Sequence, residues 1–126
     1  MKAIVIVAGS VSLPAELNES PTARKVWQAL PIEAKASTWG DEIYFEIPVV
    51  VEQEPEARAD VEVGALAYWP VGHAFCIFFG PTPASKGKAP RAYSPVNLIG
   101  RVVGDATKFR KVRDGETVRI VRAEKV

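Results

Sequence analysis

The sequence predicts a mainly β fold: a closed eight-stranded β-barrel with one main α-helix at about residues 20–30 and a short helical turn near 105–112. Short apolar or alternating segments recur along the chain between Gly- and Pro-rich turns, and only one segment has helical spacing. Closing the sheet would remove exposed edge strands, which favours a barrel over a sandwich. The 126 residues fit a single domain spanning 1–126.

The first third of the chain predicts a hairpin followed by the helix. KAIVIVAG is a β-branched run, and VSLPAEL is its expected partner, which Pro14 would confine to a sheet edge. Ser20 can cap the helix, Pro21 suits its first position, and Pro31 ends it. One helical face is apolar and should lie on the sheet; it carries Ala23, Val26, Trp27 and Leu30.

The middle of the chain predicts the best-defined strands. In EIYFEIP the residues alternate, so that Glu42 and Tyr44 share one face and Phe45 lies on the other. AFCIFF, residues 74–79, is apolar on both faces and should be a central strand. GPTPASKGKAPRAYSP, residues 80–95, is rich in strand breakers and predicts a long loop, after which VNLIGRVVG and ETVRIVRAE resume strands.

Composition excludes several classes of partner. The net charge of +1 gives no field that would recruit nucleic acid or an anionic membrane. The opening apolar run is too short for a signal core or a membrane span, and the single Cys allows no internal disulfide, so we expect a cytoplasmic protein. The scarcity of Asn, Gln, Met and Cys is commoner in proteins from hot environments.

No segment has the spacing of a known catalytic or metal site. GxxxxGK[ST], GxGxxG, GxSxG and HExxH are all absent. His73 stands alone, so we expect no metal site and no cofactor. Cys76 lies mid-strand, where burial should raise the pKa of its thiol. Glu42 and Glu46 lie about 13 Å apart along a strand, too far for a glycosidase pair.

We predict instead a ligand-binding pocket near the strand ends, where aromatic and polar residues are densest. Some of its members have an equally simple structural interpretation. Glu42 and Tyr44 suit a solvated face as well as a polar corner, His73 suits a turn, and the Asn97 amide could hold either a turn or a ligand. The predicted pocket comprises Trp39, Glu42, Tyr44, Trp69, His73, Phe78 and Asn97.

Four segments in order, LNESPTARKVWQALP, TWGDEIYFEIP, ALAYWPVGHAFCIFFGPTP and SPVNLIGRVVGD, resemble the prokaryotic cyclophilin-like family of small atypical cyclophilins. The resemblance covers nearly the whole chain and implies a cyclophilin-like closed β-barrel. Cyclophilins are peptidyl-prolyl isomerases, but their signature, an Arg followed by PxF and then QGGD, has no counterpart here. Similar barrels also form parts of bacterial carboxyltransferase and amide-hydrolysing assemblies.

These observations favour a binding domain for a small molecule or a short peptide. The alternatives are a weak or atypical peptidyl-prolyl isomerase and an interaction subunit of a larger enzyme assembly. The last alternative would use the apolar residues 74–79 as a contact face and leaves open a homodimer or another protein partner.

Overall fold

The computed structural model describes residues 1–123, which form ten strands, one α-helix and one 3-10 helix. In chain order these elements are β1 (Lys2–Ala8), β2 (Val11–Leu17), α1 (Pro21–Ala29), β3 (Ile32–Lys35), β4 (Ser37–Thr38), β5 (Glu42–Glu46), β6 (Arg58–Asp60), β7 (Ala65–Trp69), β8 (Ala74–Phe78), β9 (Arg91–Val102), the 3-10 helix (Ala106–Lys111) and β10 (Thr117–Arg122). The mainly β fold with one main helix is confirmed, as is the short helical turn.

The strands form one antiparallel sheet in the order β3-β10-β1-β2-β9-β7-β8-β5-β4, and β6 pairs with β9 outside this path. The sheet has ten strands rather than the eight of the predicted closed barrel, and β3 and β4 stand at the two ends of its strand order. Within residues 1–123 no ladder joins β3 to β4, because the chain switches partners at Ala36: β3 pairs with β10 and β4 with β5. Ala36 is itself held by backbone hydrogen bonds to Gly115 and Glu116.

Helix α1 begins as its sequence predicts. The Ser20 hydroxyl accepts a hydrogen bond from the Ala23 backbone N–H at 3.2 Å, and Pro21 occupies the first turn. Ala23 and Val26 are buried against the sheet, whereas Trp27 is half-buried beneath two cationic side chains. The helix therefore packs its apolar side on the main core, which also contains Leu30.

The position of β2 corrects the expectation that Pro14 marks a sheet edge. β2 lies between β1 and β9, with Pro14 opposite Val5. Proline is tolerated there because the ladder with β9 covers only Ala15 to Leu17, so it has ended before Pro14.

The central position of β8 is confirmed. It lies between β7 and β5, and all of its residues are buried. One face belongs to the main core, where the rings of Phe45 and Phe75 stack at 5.3 Å. The other face lies under a smaller second core that includes Val61, Ala92 and Val96. Residues 74–79 thus form no exposed surface.

The long loop predicted for residues 80–95 ends earlier than its composition suggested. β9 begins at Arg91 and runs through Pro95, because β6 supplies a partner that the sequence did not reveal. Asp60 lies opposite Arg91 and Arg58 opposite Val96, with an irregular register between them that accommodates the proline. This stretch of β9 forms one wall of the pocket.

Candidate functional site

A cavity of about 140 Å³ opens on the outer face of the sheet formed by β5, β8 and β7. It lies on the opposite side of these strands from the main core, since its strand residues alternate with Ile43, Phe45 and Ile77 of that core. We call it the aromatic pocket, and it is lined by Trp39, Glu42, Tyr44, Trp69, Cys76, Ala92, Tyr93 and Val96.

Small side chains leave the floor of the aromatic pocket open. Cys76 of β8 lies opposite Tyr44 of β5 on one side and opposite Ala67 of β7 on the other. Directly opposed residues of antiparallel strands point to the same face, so Tyr44, Cys76 and Ala67 form one row across three strands, with the large Tyr44 ring next to the short Cys76 side chain. This step in side-chain size gives the pocket its depth.

Four aromatic rings form the walls. The Trp39 and Tyr93 centroids are 6.1 Å apart, those of Tyr93 and Trp69 6.0 Å, and those of Trp69 and Tyr44 6.5 Å. The planes of these pairs meet at 70°, 74° and 85°. Edge-to-face contacts of this kind are favourable, and they place neighbouring rings nearly perpendicular, as adjacent walls of a box.

Trp69 is fixed from two sides. Its indole N–H donates to the Ser94 hydroxyl at 2.7 Å, which ties the end of β7 to β9. Its ring also lies against the following turn, where a Cβ at Gly72 would be 2.6 Å from two ring atoms. Only glycine therefore fits at position 72 while the indole keeps this orientation.

Trp39 is positioned by the tight turn between β4 and β5. Its backbone N–H donates to the Glu42 carbonyl at 3.0 Å, and Gly40 adopts a φ of 61° that favours glycine. A Cβ at Gly40 would also meet the backbone of Thr82 at 2.9 Å. The turn is thus packed against the loop after β8, which holds Trp39 at the pocket rim.

Glu42 supplies a carboxyl group to an otherwise apolar pocket. Only 6% of the residue is exposed, and among residues 1–123 it takes part in no salt bridge. Burial raises the pKa of Glu42 to about 7, and a hydrogen bond from the Cys76 thiol opposes this rise. The group therefore changes charge close to neutral pH.

Cys76 has the properties of a buried core thiol. Burial raises its pKa well above the ordinary value, and the negative charge of Glu42 raises it further. The thiol lies 3.8 Å from the Ala74 carbonyl, a long contact, and it can donate to the Glu42 carboxyl instead. The expected rise in the pKa of this thiol is confirmed, and a role as nucleophile is disfavoured.

Four of the seven residues predicted for the pocket, Trp39, Glu42, Tyr44 and Trp69, line one cavity in the structure. The other three lie elsewhere. His73 occupies the turn between β7 and β8 at a φ of 50°, where its backbone N–H donates to the Pro70 carbonyl at 3.4 Å. Phe78 is fully buried in the second core rather than exposed in the cavity.

Asn97 has a structural position. It is 1% exposed, and its amide group donates to the Thr22 hydroxyl at 3.1 Å and to the Glu52 carbonyl at 3.0 Å. Its carbonyl oxygen accepts from the Glu54 backbone N–H at 2.8 Å. Glu54 in turn accepts a hydrogen bond from Thr22. Asn97 thus joins β9, α1 and the loop after β5, which is the turn-holding role weighed from the sequence.

Four residues of the pocket lining were not predicted from the sequence: Cys76, Ala92, Tyr93 and Val96. The last three lie on the stretch of β9 whose pairing with β6 was not predicted. One signal was present, because Tyr93 is the only aromatic residue in segment 80–95. Within residues 1–123 the structure shows no group of three His, Cys, Asp or Glu side chains placed to hold a metal, and no helix long and apolar enough to cross a membrane.

The fold and this site define a small cyclophilin-like domain. A family model described as cyclophilin-like matches residues 2–121, and the chain belongs to that family. The chain is similar to AF2241, a hypothetical protein from Archaeoglobus fulgidus with a solution structure. The two share 43% identity over 97% of this chain and 95% of that one, with a TM-score of 0.81. No curated protein matches the chain.

Proposed function

We propose that this cyclophilin-like protein is a binding domain whose aromatic pocket receives a small molecule or one side chain of a short peptide. The observation that carries the proposal is the combination of four perpendicular aromatic walls with one buried carboxyl group. Apolar walls with few convergent polar groups are typical of ligand sites, and a carboxyl group buried without a cationic partner is unfavourable for folding alone. Such a group is more readily explained by a ligand.

The size of the pocket limits its occupant. A dry cavity of about 150 Å³ in a protein core binds benzene, so 140 Å³ suits a group of about six heavy atoms. A larger ligand would insert only one end. Tyr93, which is 76% exposed, stands at the mouth and could contact the part that remains outside.

Binding without isomerisation is the better-supported form of the proposal. A cyclophilin-type isomerase uses an Arg beside the twisting amide, and none of the described residues that line the aromatic pocket is an Arg. An NMR exchange experiment on an X-Pro peptide separates the two functions. We expect no acceleration of cis–trans exchange at high protein concentration, and a clear acceleration would replace binding by catalysis as the function.

The pocket itself can be tested with its own tryptophans. A Trp27→Phe background removes the one indole that lies outside the pocket, so that fluorescence reports only Trp39 and Trp69. We expect saturable quenching or enhancement by members of a set of small water-soluble compounds, and native mass spectrometry of freshly purified protein should show any ligand it carries.

Trp39→Ala is the test variant and Trp27→Ala is its matched control, because both indoles are half-buried. Trp39→Ala should weaken binding of every hit about tenfold or more, because the contact of an aromatic or cationic ligand with an indole ring contributes on the order of 1–2 kcal/mol. Trp27→Ala should leave binding unchanged. Equal affinities in the two variants would place the ligand outside the aromatic pocket and overturn the proposal.

A further inference from the structure

From the same pocket we infer the chemical class of the ligand: an alkylated ammonium group, held by the aromatic walls and by the Glu42 carboxylate. This inference rests on the proposed function and makes it more specific. It is carried by the arrangement of the rings and by the position of the carboxyl group, each of which selects for positive charge.

The rings supply the first selection. An organic cation is attracted to the face of an aromatic ring, most strongly to tryptophan, and the usual recognition site for alkylated ammonium is a cage of such rings. Trp39, Tyr93, Trp69 and Tyr44 form a continuous series of edge-to-face contacts at 6.0–6.5 Å. Rings that meet at 70–85° surround a compact group from several sides, whereas a parallel stack would suit a flat one.

The carboxyl group supplies the second selection. Glu42 is more than nine-tenths buried and lines the same cavity as the rings. The titratable groups that share this pocket are the Cys76 thiol on β8, the Tyr44 phenol on β5 and the Tyr93 phenol on β9, and none of them carries positive charge. Within residues 1–123 no Lys, Arg or His forms a salt bridge with Glu42, so a bound cation would be its first charged partner.

The same features disfavour other ligand classes. An anion would meet a carboxylate and the negative faces of the rings, and among residues 1–123 no basic side chain lines the pocket to offset them. A metal ion would require several oxygen, nitrogen or sulfur ligands, and the pocket offers one carboxyl group and one thiol of raised pKa. A trimethylammonium group is weakly hydrated, needs no hydrogen-bond acceptor, and is close to the size that 140 Å³ accepts.

Binding should depend on pH in a defined direction. The cation interacts with the charged form of Glu42, which predominates above the pKa of about 7. Affinity should therefore rise from pH 6 to pH 8. Because binding favours the carboxylate, it should also release protons near neutral pH, which calorimetry in buffers of different ionisation enthalpy detects.

The test compares choline with 3,3-dimethyl-1-butanol, its neutral isostere, by titration calorimetry of the full chain at pH 8 and low salt. We expect choline to bind about tenfold or more tightly than the alcohol, as a desolvated cation–π contact allows. In Glu42→Gln the affinity for choline should fall more than the affinity for the alcohol, so that this preference shrinks markedly. Glu46→Gln, an exposed position on the same strand face, should behave like the wild type.

The outcomes separate this inference from the proposed function. If the alcohol binds the wild type as tightly as choline does, the inference is wrong and the pocket binds apolar groups, which leaves the proposed function standing. If neither compound binds at millimolar concentration while neutral compounds of the fluorescence set do, the inference again fails alone. If no compound of any class binds, both fail. Tyr93→Ala tests the aromatic cage in a folded protein, because the Tyr93 ring is largely exposed. An unchanged choline affinity in this variant would contradict binding within the cage.

Discussion

Asn97 on β9 and Glu42 on β5 are two buried polar residues of the same sheet, and they differ in how far their polar atoms are paired. Asn97 is 1% exposed and engages both its donor and its acceptor, in three hydrogen bonds that join three elements of the fold. Glu42 is 6% exposed, and within residues 1–123 its carboxyl group has no salt-bridge partner.

The number of polar partners therefore distinguishes a structural role from a binding role better than the degree of burial does. A buried polar group whose hydrogen bonds are complete stabilises the native state, because its loss would leave its partners unsatisfied. A buried carboxyl group without a cation is a net cost to folding, and perturbed ionisable groups of this kind cluster at functional sites. Substitutions at Asn97, at Glu42 and beside the pocket should therefore affect stability and binding differently.

Asn97→Ala should destabilise the protein by about 3 kcal/mol, because it removes three hydrogen bonds that a fully buried amide makes to Thr22, Glu52 and Glu54. Urea unfolding followed by circular dichroism measures this loss. Gln53→Ala, at an exposed position in the same loop, should change stability by less than about 0.5 kcal/mol. Similar values for the two variants would show that the Asn97 network is not structural.

Glu42→Gln should stabilise the protein at pH 8 by about 3 kcal/mol. The folded protein keeps the Glu42 proton up to a pKa of about 7, whereas the unfolded chain releases it near 4.5. The native state therefore binds more protons between these pH values, and its stability falls as pH rises through them. Above pH 7 the full penalty remains, and the glutamine variant lacks it.

The check is a set of urea unfolding curves for wild type and Glu42→Gln from pH 4 to pH 8. The two free energies of unfolding should agree near pH 4 and diverge with rising pH. Glu46→Gln should follow the wild type at every pH, because Glu46 is exposed on the same strand. A constant difference between Glu42→Gln and wild type across the range would mean that the carboxyl group is not penalised by burial.

Tyr93→Ala should have the smallest effect on folding and a clear effect on binding. The ring is 76% exposed, so its removal should change stability by less than about 0.5 kcal/mol. It contacts both Trp39 and Trp69, and any ligand in the pocket should bind several-fold more weakly without it. Val50→Ala, at another exposed apolar side chain, provides the control for both measurements.

Local patterns predicted much of the fold. Ser20 and Pro21 predicted the start of α1, and the two apolar faces of residues 74–79 predicted a central strand; the structure confirms both. Two features depend on pairing between distant segments and were missed. The partner switch at Ala36 leaves β3 and β4 unpaired with each other, and the short β6 extends β9 back to Arg91.

Local patterns likewise predicted part of the aromatic pocket, and the rest depends on pairing between distant segments. Glu42 and Tyr44 share a strand face by simple alternation, and Trp39 and Trp69 flank the turns next to that face. Tyr93 joins them only because β6 pairs with β9, which no local pattern indicates. Expectations of a cytoplasmic location, of an origin in a hot environment and of a protein partner stay predictions.

NMR titration of the Glu42 side-chain carboxyl carbon tests directly whether this buried carboxyl group lacks a charged partner in the free protein. We expect a titration midpoint at a pKa of about 7 in the free protein and a lower midpoint in the presence of saturating choline. A midpoint near 4.5 in the free protein, unchanged by choline, would contradict this expectation.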